Sequence, residues 1–273
     1  MITLERRTEL LGRYPHLKEY HITVLDLLRA SAETMGRSVL EVGGNNYPAE
    51  ILLGDLGASR WVSVNRDIFA LTPGESAIPL SQAETHFPFT GRLIFQGCAE
   101  DLPALFDGQF DVVFSVAAFE HVLQLPRVLR RICAALRPGG KFFSHFAPIW
   151  SARLGHHLWL DDQRFNFTVP DILPDYCHLL MSPPELHDWC VGRYGEEKTC
   201  QIVHQIFHSI HVNRLWYRDY LAYMTKSPFA SWSARPAWND AVSEENAARL
   251  AKRFPGVETS DFGVGGLIIE AAV

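Results

Sequence analysis

The sequence has few cysteines, and none of them are in a paired spacing. Five occur among 273 residues, and an odd number cannot be fully used in disulfides within one chain. No CxxC pair is present, so the sequence does not indicate a zinc ribbon either. We therefore expect buried free thiols at the five positions, which are Cys98, Cys133, Cys177, Cys190 and Cys200.

The sequence also lacks the features typical of membrane and nucleic-acid partners. No apolar run approaches the roughly 20 residues of a membrane span, and the opening MITLERRTELLGRYPH carries charges where a signal peptide has its apolar centre. Basic residues number 25 against 31 acidic ones, which leaves no basic excess for a polyanion. We expect a cytoplasmic protein without membrane or nucleic-acid partners. The sequence leaves the oligomeric state open.

What the sequence does contain is an alternation of short apolar runs with helical or turn-rich stretches. Hydrophobic residues make up 47% of the chain, which is enough to fill a sizeable core. Strands that alternate with helices predict an α/β fold with a parallel sheet and right-handed crossovers. The β-type runs of the first half are 38–43, 60–65, 92–97, 110–115 and 140–146.

Helical spacing and turn residues predict the remaining elements. Residues 16–35 place leucine and isoleucine on one helical face, and a second helix is expected over about 125–136, ended by the sequence RPGG. A third helix is expected at 243–254. Two β-type runs, 256–262 and 265–272, then predict a closing antiparallel hairpin.

Residues 38–50, SVLEVGGNNYPAE, predict a strand that turns sharply into a helical segment. Such a turn places backbone N–H groups beside a ligand at the carboxyl edge of a sheet. Gly43 and Gly44 permit a close approach, and Glu41 would be a costly unpaired carboxylate at the end of an apolar strand. The alternative is a strand-to-helix turn that binds nothing. The motif G-x-G-x-x-G is absent here, which argues against a nicotinamide dehydrogenase.

Three segments in order carry a family resemblance: VLEVGG, CAEDLPALFDGQFDVVFSVAAFEHV and VLRRICAALRPGGKFF. They resemble the class I S-adenosylmethionine-dependent methyltransferases, particularly the small-molecule branch that includes quinone-pathway enzymes. The resemblance implies a Rossmann-like seven-stranded sheet with a terminal antiparallel hairpin and a helical, aromatic- and histidine-rich insertion after the fifth strand. It also implies S-adenosylmethionine as the cofactor.

On this basis we expect one methyltransferase domain over 1–273. It would consist of a cofactor-binding core at 38–146, a substrate-recognition insertion at 147–235, and a closing helix and hairpin at 236–273. The resemblance assigns cofactor contacts to the ends of the first four strands. The residues at those positions are Glu41, Gly43, Gly44, Asn45, Asn65, Asp67, Cys98, Ala99, Glu100 and Ser115.

Four positions depart from the family pattern. Asn45 and Tyr47 stand where the family has glycine, Asn65 where it has an acid for the ribose hydroxyls, and Cys98 where it has an acid near the adenine. Asparagine tolerates positive φ, so Asn45 can keep the turn, and the Tyr47 ring is expected to wall the site. Asp67 could compensate for the missing charge at Asn65, or be a solvated loop acid.

The insertion and the segment after the fourth strand supply candidate catalytic groups. Eight of the twelve histidines lie between 145 and 211, and a pKa near neutrality suits a general base. The catalytic candidates are His121, His145, His156 and His157, each of which could instead be a structural histidine. The substrate-binding candidates are Trp150, Arg214, Tyr217 and Tyr220, although buried aromatic residues are more often core. His204, His208 and His211 share one helical face, but without H-E-x-x-H we expect no metal.

The sequence therefore predicts a methyltransferase that acts on an oxygen or nitrogen of a small molecule, with carbon left open. The alternative is a methyltransferase-fold protein with a degenerate cofactor loop, serving as a binding or regulatory module or catalysing another reaction. The four altered positions favour that alternative, and intact Glu41, Gly43 and Gly44 favour the enzyme. Neither identifies the methyl acceptor.

Overall fold

The computed structural model describes residues 1–68, 71–161 and 164–273. Its centre is an eight-stranded sheet with the order β3-β4-β2-β1-β5-β6-β8-β7. The strands are β1 Ser38–Val42, β2 Arg60–Asn65, β3 Ala77–Pro79, β4 Gly91–Gln96, β5 Phe110–Val116, β6 Leu136–Phe146, β7 Ser231–Pro236 and β8 Leu267–Ala272.

The pairing confirms a mostly parallel α/β sheet with antiparallel C-terminal strands. Strands β1 to β6 pair in parallel, whereas β8 runs antiparallel to both β6 and β7. The five predicted strands of the first half are present, and β3 is added at one edge. The chain leaves β1 toward β2 and β4 on one side, and β5 continues to β6 on the other side. The carboxyl ends of β1 and β5 therefore form the topological switch point, where open α/β sheets bind ligands.

The predicted position of one C-terminal strand was wrong. Residues 256–262 do not pair with β8, because Thr259–Gly263 form a short helix. The antiparallel partner of β8 is β7, which alternates between exposed and half-buried residues and ends at Pro236. An edge strand tolerates proline and polar residues, so its sequence does not resemble the apolar interior strands.

Helices cover both faces of the sheet and form the segment between β6 and β7. The predicted helices at 125–136 and 243–254 correspond to α3 and α8, and the one at 16–35 is shorter, as α2. The segment after Pro48 is a π-type helical turn, Glu50–Asp55. The α-helices are α1 Leu4–Arg13, α2 Glu19–Ser31, α3 Leu125–Ala135, α4 Cys177–Leu180, α5 Pro183–Tyr194, α6 Glu196–Val203, α7 Tyr217–Thr225, α8 Glu244–Arg253 and α9 Thr259–Gly263.

The hydrophobic core has a layer on each side of the sheet because successive strand residues point to opposite faces. On β5, Val113 packs with α3, whereas Phe114 belongs to the layer beneath α2. The helical segment between β6 and β7 has its own apolar cluster, which includes Leu186 and Ile202. All five cysteines are free thiols, but only two are buried as expected: Cys177 and Cys190 are buried, Cys98 and Cys133 are half-buried, and Cys200 is exposed. No helix in the described ranges is long and apolar enough to cross a bilayer.

Candidate active site at the switch point of the sheet

A cavity of about 500 Å³ lies at the carboxyl ends of β1, β2, β4 and β5. Its volume is within the range typical of small-molecule sites, roughly 300–1,000 Å³. Four loops that the sequence separates by dozens of residues converge there because parallel strands end at one edge. The lining comprises Gly43, 64–67, 97–101, 117–118, 121–124, Arg127 and His211.

Gly43 makes the turn after β1 possible. Its φ is +82°, a conformation that costs other residues about 1–2 kcal/mol. A Cβ at Gly43 would lie 2.3 Å from the Cβ of Ala118, so the two loops touch where a side chain would collide. The backbone N–H of Gly43 also donates to the Val64 carbonyl at 2.8 Å. The turn after β1 is therefore held against the loops after β2 and β5, and its bare Cα faces the cavity.

Asn45 and Asn65 form a hydrogen-bonded pair at the ends of β1 and β2. The Asn65 Nδ2 donates to Asn45 Oδ1 at 3.1 Å and to the Asp67 carbonyl at 2.5 Å. The positive φ expected at Asn45 belongs instead to Gly43, and Asn45 contributes its side chain. Asn45 and Asn65, two of the four departures from the family pattern, are therefore linked by a hydrogen bond to each other. Since both bonds use the Asn65 amide nitrogen, its carboxamide oxygen is the acceptor that this side chain can present to a ligand.

Glu41 is fully enclosed beneath the turn rather than part of the cavity lining. Its Oε2 accepts hydrogen bonds from Trp61 Nε1 at 3.1 Å and from the Ser63 hydroxyl, and Arg92 lies 4.0 Å away. Burial raises the pKa of Glu41, and the Arg92 charge opposes that rise. Its Oε1 lies 2.6 Å from the position of a Cβ on Gly44. Glycine at 44 therefore leaves room for the carboxylate, and a cofactor contact of Glu41 stays a prediction.

The Tyr47 ring does not wall the cavity as expected. It is buried in the core beneath α2, and its hydroxyl donates to the His21 carbonyl at 3.1 Å. Ser115 is likewise buried in β5, directly opposite Ser144 of β6, and is not part of the lining. Ser115 lies within strand β5, and Tyr47 turns back from the end of β1 into the core, so both side chains sit within the packed body of the fold.

The segment after β4 lies against the cavity as predicted for Cys98, Ala99 and Glu100. Burial, with the charge of Glu100 beside it, raises the pKa of the Cys98 thiol. The Glu100 carboxylate accepts from the Gln124 N–H at 3.5 Å, so it connects the loops after β4 and β5. Asp67 also lines the cavity and is paired with Arg66 at 2.8 Å.

Among the predicted catalytic histidines, the structure brings His121 and His157 together and adds His211. The ring centroid of His121 lies 4.8 Å from the centroids of His157 and of His211, and those two centroids are 5.4 Å apart. His121 and His211 line the cavity. Burial lowers the pKa of all three, that of His211 to about 4, so each is neutral at pH 7. We call these three residues the histidine cluster.

The other two catalytic candidates lie elsewhere. His145 is in β6, where it pairs with Val116 and Ile268 and alternates with Phe146. The buried His156 accepts a hydrogen bond from the Leu158 N–H at its Nδ1. Neither lines the described cavity, and a catalytic role for either stays a prediction.

Glu120, beside His121, is a buried acid that the sequence analysis left without a role. It is 2% exposed, and desolvation raises the pKa of its carboxyl to about 8. The backbone at residues 120 and 147 partly offsets that rise. The carboxyl is therefore largely neutral at pH 7.

The four substrate-binding candidates are outside the described cavity lining. Arg214 donates to the carbonyls of Ile206 and Ser209 at 3.0 and 2.8 Å, which caps the end of a helical turn, and its guanidinium lies over the Trp150 ring. The Tyr217 N–H donates to Ser151. These contacts are structural, and substrate contact by these residues stays a prediction.

Tyr220, the fourth of these candidates, leads to a residue that sequence analysis missed. It is buried against Phe146, and its hydroxyl donates to Asn213 Oδ1 at 3.1 Å. The Asn213 amide also donates to the carbonyls of Phe119 and Val122 at 2.7 and 3.0 Å. Asn213 therefore fixes the turn that carries His121. Asn213, between Val212 and Arg214, has no periodic pattern in the sequence that indicates such a role.

The helical face predicted for His204, His208 and His211 does not form. The π-type helical turn His204–His208 ends there because Ser209 is extended, with ψ at 165°. His204 and His208 are exposed, whereas His211 turns inward to the cavity. Of these three histidines, His211 alone lines the cavity, and it lies beyond the end of the helical turn.

The sheet order, the switch-point cavity and the glycine turn are those of a Rossmann-like α/β fold with its ligand site at the carboxyl edge of the sheet. Residues 54–144 match the family model described as a methyltransferase domain. This match covers β2 to β6, the part of the chain that builds most of the cavity. The chain therefore carries a methyltransferase domain, and the expected class, cofactor and fold are confirmed.

Three known proteins show how far the likeness extends. A ubiquinone biosynthesis O-methyltransferase of Methylobacterium nodulans is 47% identical over 36 residues, which cover 13% of this chain and 14% of that protein. An S-adenosylmethionine-dependent methyltransferase structure from Mesorhizobium loti is 18% identical with a TM-score of 0.47, covering 91% of this chain and 96% of that one.

A phosphoethanolamine N-methyltransferase 2 of Haemonchus contortus, solved with S-adenosyl-L-methionine, is 15% identical with a TM-score of 0.47. The likeness covers 93% of this chain and 52% of that one. At 18% and 15% identity, the substrates of these two proteins cannot be assigned to this chain.

Proposed function

We propose that this protein transfers a methyl group to an oxygen or nitrogen of a small molecule. The observation that carries the proposal is the histidine cluster, two of whose members, His121 and His211, line the switch-point cavity. Neutral imidazoles at that position can bind or deprotonate a hydroxyl or amine. An acceptor carbon would need no such groups unless its own proton were removed.

The cavity fits the cofactor in two respects that the structure itself provides. Gly43 lines the cavity with bare backbone, and a side chain there would push the turn away from Ala118, with which its Cβ collides. The Asn65 carboxamide oxygen supplies an acceptor at the end of β2, which supports a ribose contact there. Bound S-adenosylmethionine supplies a methyl group activated by its sulfonium.

The remaining roles fall to this chain's own residues. We assign the amino acid end of the cofactor to the Gly43–Gly44 turn, the ribose to Asn65 and the adenine to Ala99 and its neighbours. The chain must also align the acceptor and exclude water, because proximity supplies most of what such a transfer needs. His121 and His211 are placed to hold the acceptor heteroatom.

Calorimetric titration with S-adenosylmethionine and S-adenosylhomocysteine tests the cofactor site. We compare Gly43→Ala with Gly139→Ala, since both glycines have positive φ, +82° and +78°. A Cβ on Gly139 meets nothing within 4 Å, and Gly139 is at the opposite end of β6 from the cavity. Both variants therefore carry the cost of placing alanine at a positive φ, and only Gly43→Ala adds a collision with Ala118.

We expect the wild type to bind S-adenosylhomocysteine with a Kd on the order of micromolar, about −8 kcal/mol. Gly43→Ala should weaken binding by at least about tenfold, roughly 1.4 kcal/mol, whereas Gly139→Ala should bind as the wild type does. Equal affinities in the two variants would place the cofactor elsewhere. No binding by the wild type up to millimolar concentration would refute the proposed function.

If the cofactor binds, a screen of phenols, carboxylic acids and amines with radiolabelled S-adenosylmethionine tests the acceptor. We expect label in an O-methyl or N-methyl product. Label found only in C-methyl products would contradict the proposed acceptor atoms while leaving the cofactor site intact.

A further inference from the structure

Three histidines from separate parts of the chain meet beside the cavity. His121 lies in the turn after β5, His157 in the loop after β6, and His211 just beyond the helical turn His204–His208. One ring nitrogen of each lies within 4.8 Å of the others. His157 reaches this position with φ at +45°, a conformation that side chains rarely adopt and that is often retained where function requires it.

Nitrogen atoms in the cluster lack protein partners. His157 Nδ1 and His211 Nε2 are enclosed, and neither has a hydrogen-bond partner among the described residues. His157 is only 6% exposed. Leaving a buried polar atom unpaired costs about 1–3 kcal/mol, so two such atoms in one cluster indicate that something else binds them.

The third ring is oriented by a backbone carbonyl. His121 Nδ1 lies 2.5 Å from the His211 carbonyl oxygen. A carbonyl only accepts, so Nδ1 carries the proton and Nε2 carries the lone pair. Metal-bound histidines commonly donate their second ring N–H to a carbonyl in this way.

We propose that His121, His157 and His211 bind one divalent transition metal ion of the zinc type. Imidazole nitrogens suit Zn²⁺ and Co²⁺. Bonds of about 2.0–2.1 Å need the nitrogens closer than 4.8 Å, so the side chains must move inward by about an ångström. Three histidine ligands leave a fourth position for water or substrate, as in catalytic zinc sites.

The fourth position faces the cavity because His121 and His211 line it and His157 lies behind them. An acceptor with an oxygen donor, such as a hydroxyl, would coordinate there, and with the metal bound the ion would contact the acceptor heteroatom in place of His121 and His211. This assignment of the acceptor rests on the proposed function, whereas metal binding itself does not. The charged residues of the nearest wall, Arg66 and Asp67, are paired at 2.8 Å, so their charges largely offset each other toward a cation.

Metal binding is tested on the tag-free full chain by equilibrium dialysis against Zn²⁺ and by the visible spectrum of added Co²⁺. The test variants are His157→Gln and His211→Gln. The matched control is His204→Gln with His208→Gln, which removes an exposed i, i+4 pair with ring centroids 6.2 Å apart. Titration with S-adenosylhomocysteine and circular dichroism on each sample check the cofactor site and the fold.

We expect about one equivalent of metal in the wild type and in the double control. Each test variant should bind at least about 100-fold more weakly, since even loss of an outer partner costs 10- to 100-fold. His157→Gln should keep its affinity for S-adenosylhomocysteine, because His157 is outside the described cavity lining. No stoichiometric metal in the wild type would overturn the proposal, as would metal that persists in both test variants or is lost in the double control.

The cofactor titration separates this proposal from the proposed function. Cofactor binding without metal would refute the metal site alone. Metal binding without cofactor binding would refute the proposed transfer and leave the metal site standing.

Discussion

Replacing Asn213 by aspartate tests whether one side chain joins the two segments that carry His121 and His211. The Asn213 amide nitrogen donates to the carbonyls of Phe119 and Val122. Its Oδ1 accepts from the Leu215 N–H at 3.0 Å and from a tyrosine hydroxyl. Aspartate keeps both accepted bonds, loses both donated ones and directs a carboxylate oxygen at two carbonyls.

The loss can be estimated from these contacts. Two hydrogen bonds contribute about 0.5–1.5 kcal/mol each, and a partly buried polar group left without its partner costs more. A partly buried carboxylate beside two carbonyl oxygens adds repulsion. We therefore expect the free energy of unfolding to fall by roughly 2–4 kcal/mol. At about 2–4 °C per kcal/mol for a chain of this size, the melting temperature should fall by about 4–16 °C.

The assay is urea unfolding followed by circular dichroism, with Asn246→Asp as the control. Asn246 is in the first turn of α8, where a negative charge is tolerated or favourable, so the control should change stability by no more than about 0.5 kcal/mol. Affinity for S-adenosylhomocysteine should also fall in Asn213→Asp, since the turn after β5 lines the cavity. A change in stability as small as that of the control would refute the tethering role of Asn213.

Two further predictions follow from the same contacts. Asn65→Asp restores the acid typical of the family, yet it removes the N–H groups that donate to Asn45 and to the Asp67 carbonyl. We expect the free energy of unfolding, measured with urea, to fall by roughly 1–3 kcal/mol. Unchanged stability would show that the amide pair is dispensable. Hydrogen bonding, led by the Tyr14 hydroxyl, lowers the pKa of Glu50 from its ordinary value of 4.5 to about 2. The ionised carboxylate therefore stabilises the fold fully above pH 4.5, and this stabilisation is lost as the pH falls through about 2. Glu50→Gln should therefore cost about 0.5–1 kcal/mol at pH 7 and progressively less below pH 4.5, and a cost independent of pH in urea titrations would contradict this assignment.

The fold was predictable where burial imposes a simple pattern. Interior parallel strands are buried on both faces, so β1 and β5 are mainly apolar on both sides rather than alternating. β7 was missed because an edge strand has one solvated face and tolerates Pro236. The run 256–262 contains the β-type residues Val257, Thr259 and Phe262, but part of it is helical in the structure.

The site was predictable only in part, because its residues come from loops. Gly43 and Asn65 follow directly from the ends of strands, and both line the cavity. The histidine cluster has no periodic signal, since its members come from three unrelated segments. Asn45 shows why local sequence patterns are not enough. Its side chain, in place of the family's glycine, accepts a hydrogen bond from Asn65, which lies twenty residues further along the chain.

Strand β8 follows every other strand in sequence, yet it lies between β6 and β7. During synthesis on the ribosome, β7 emerges before the neighbour that joins it to the sheet, and β6 keeps an open edge until residues 267–272 appear. Long-range pairing of this kind is slow and leaves strand edges exposed to other nascent chains. The β6–β8–β7 part of the sheet therefore forms only after residues 267–272 have been synthesised.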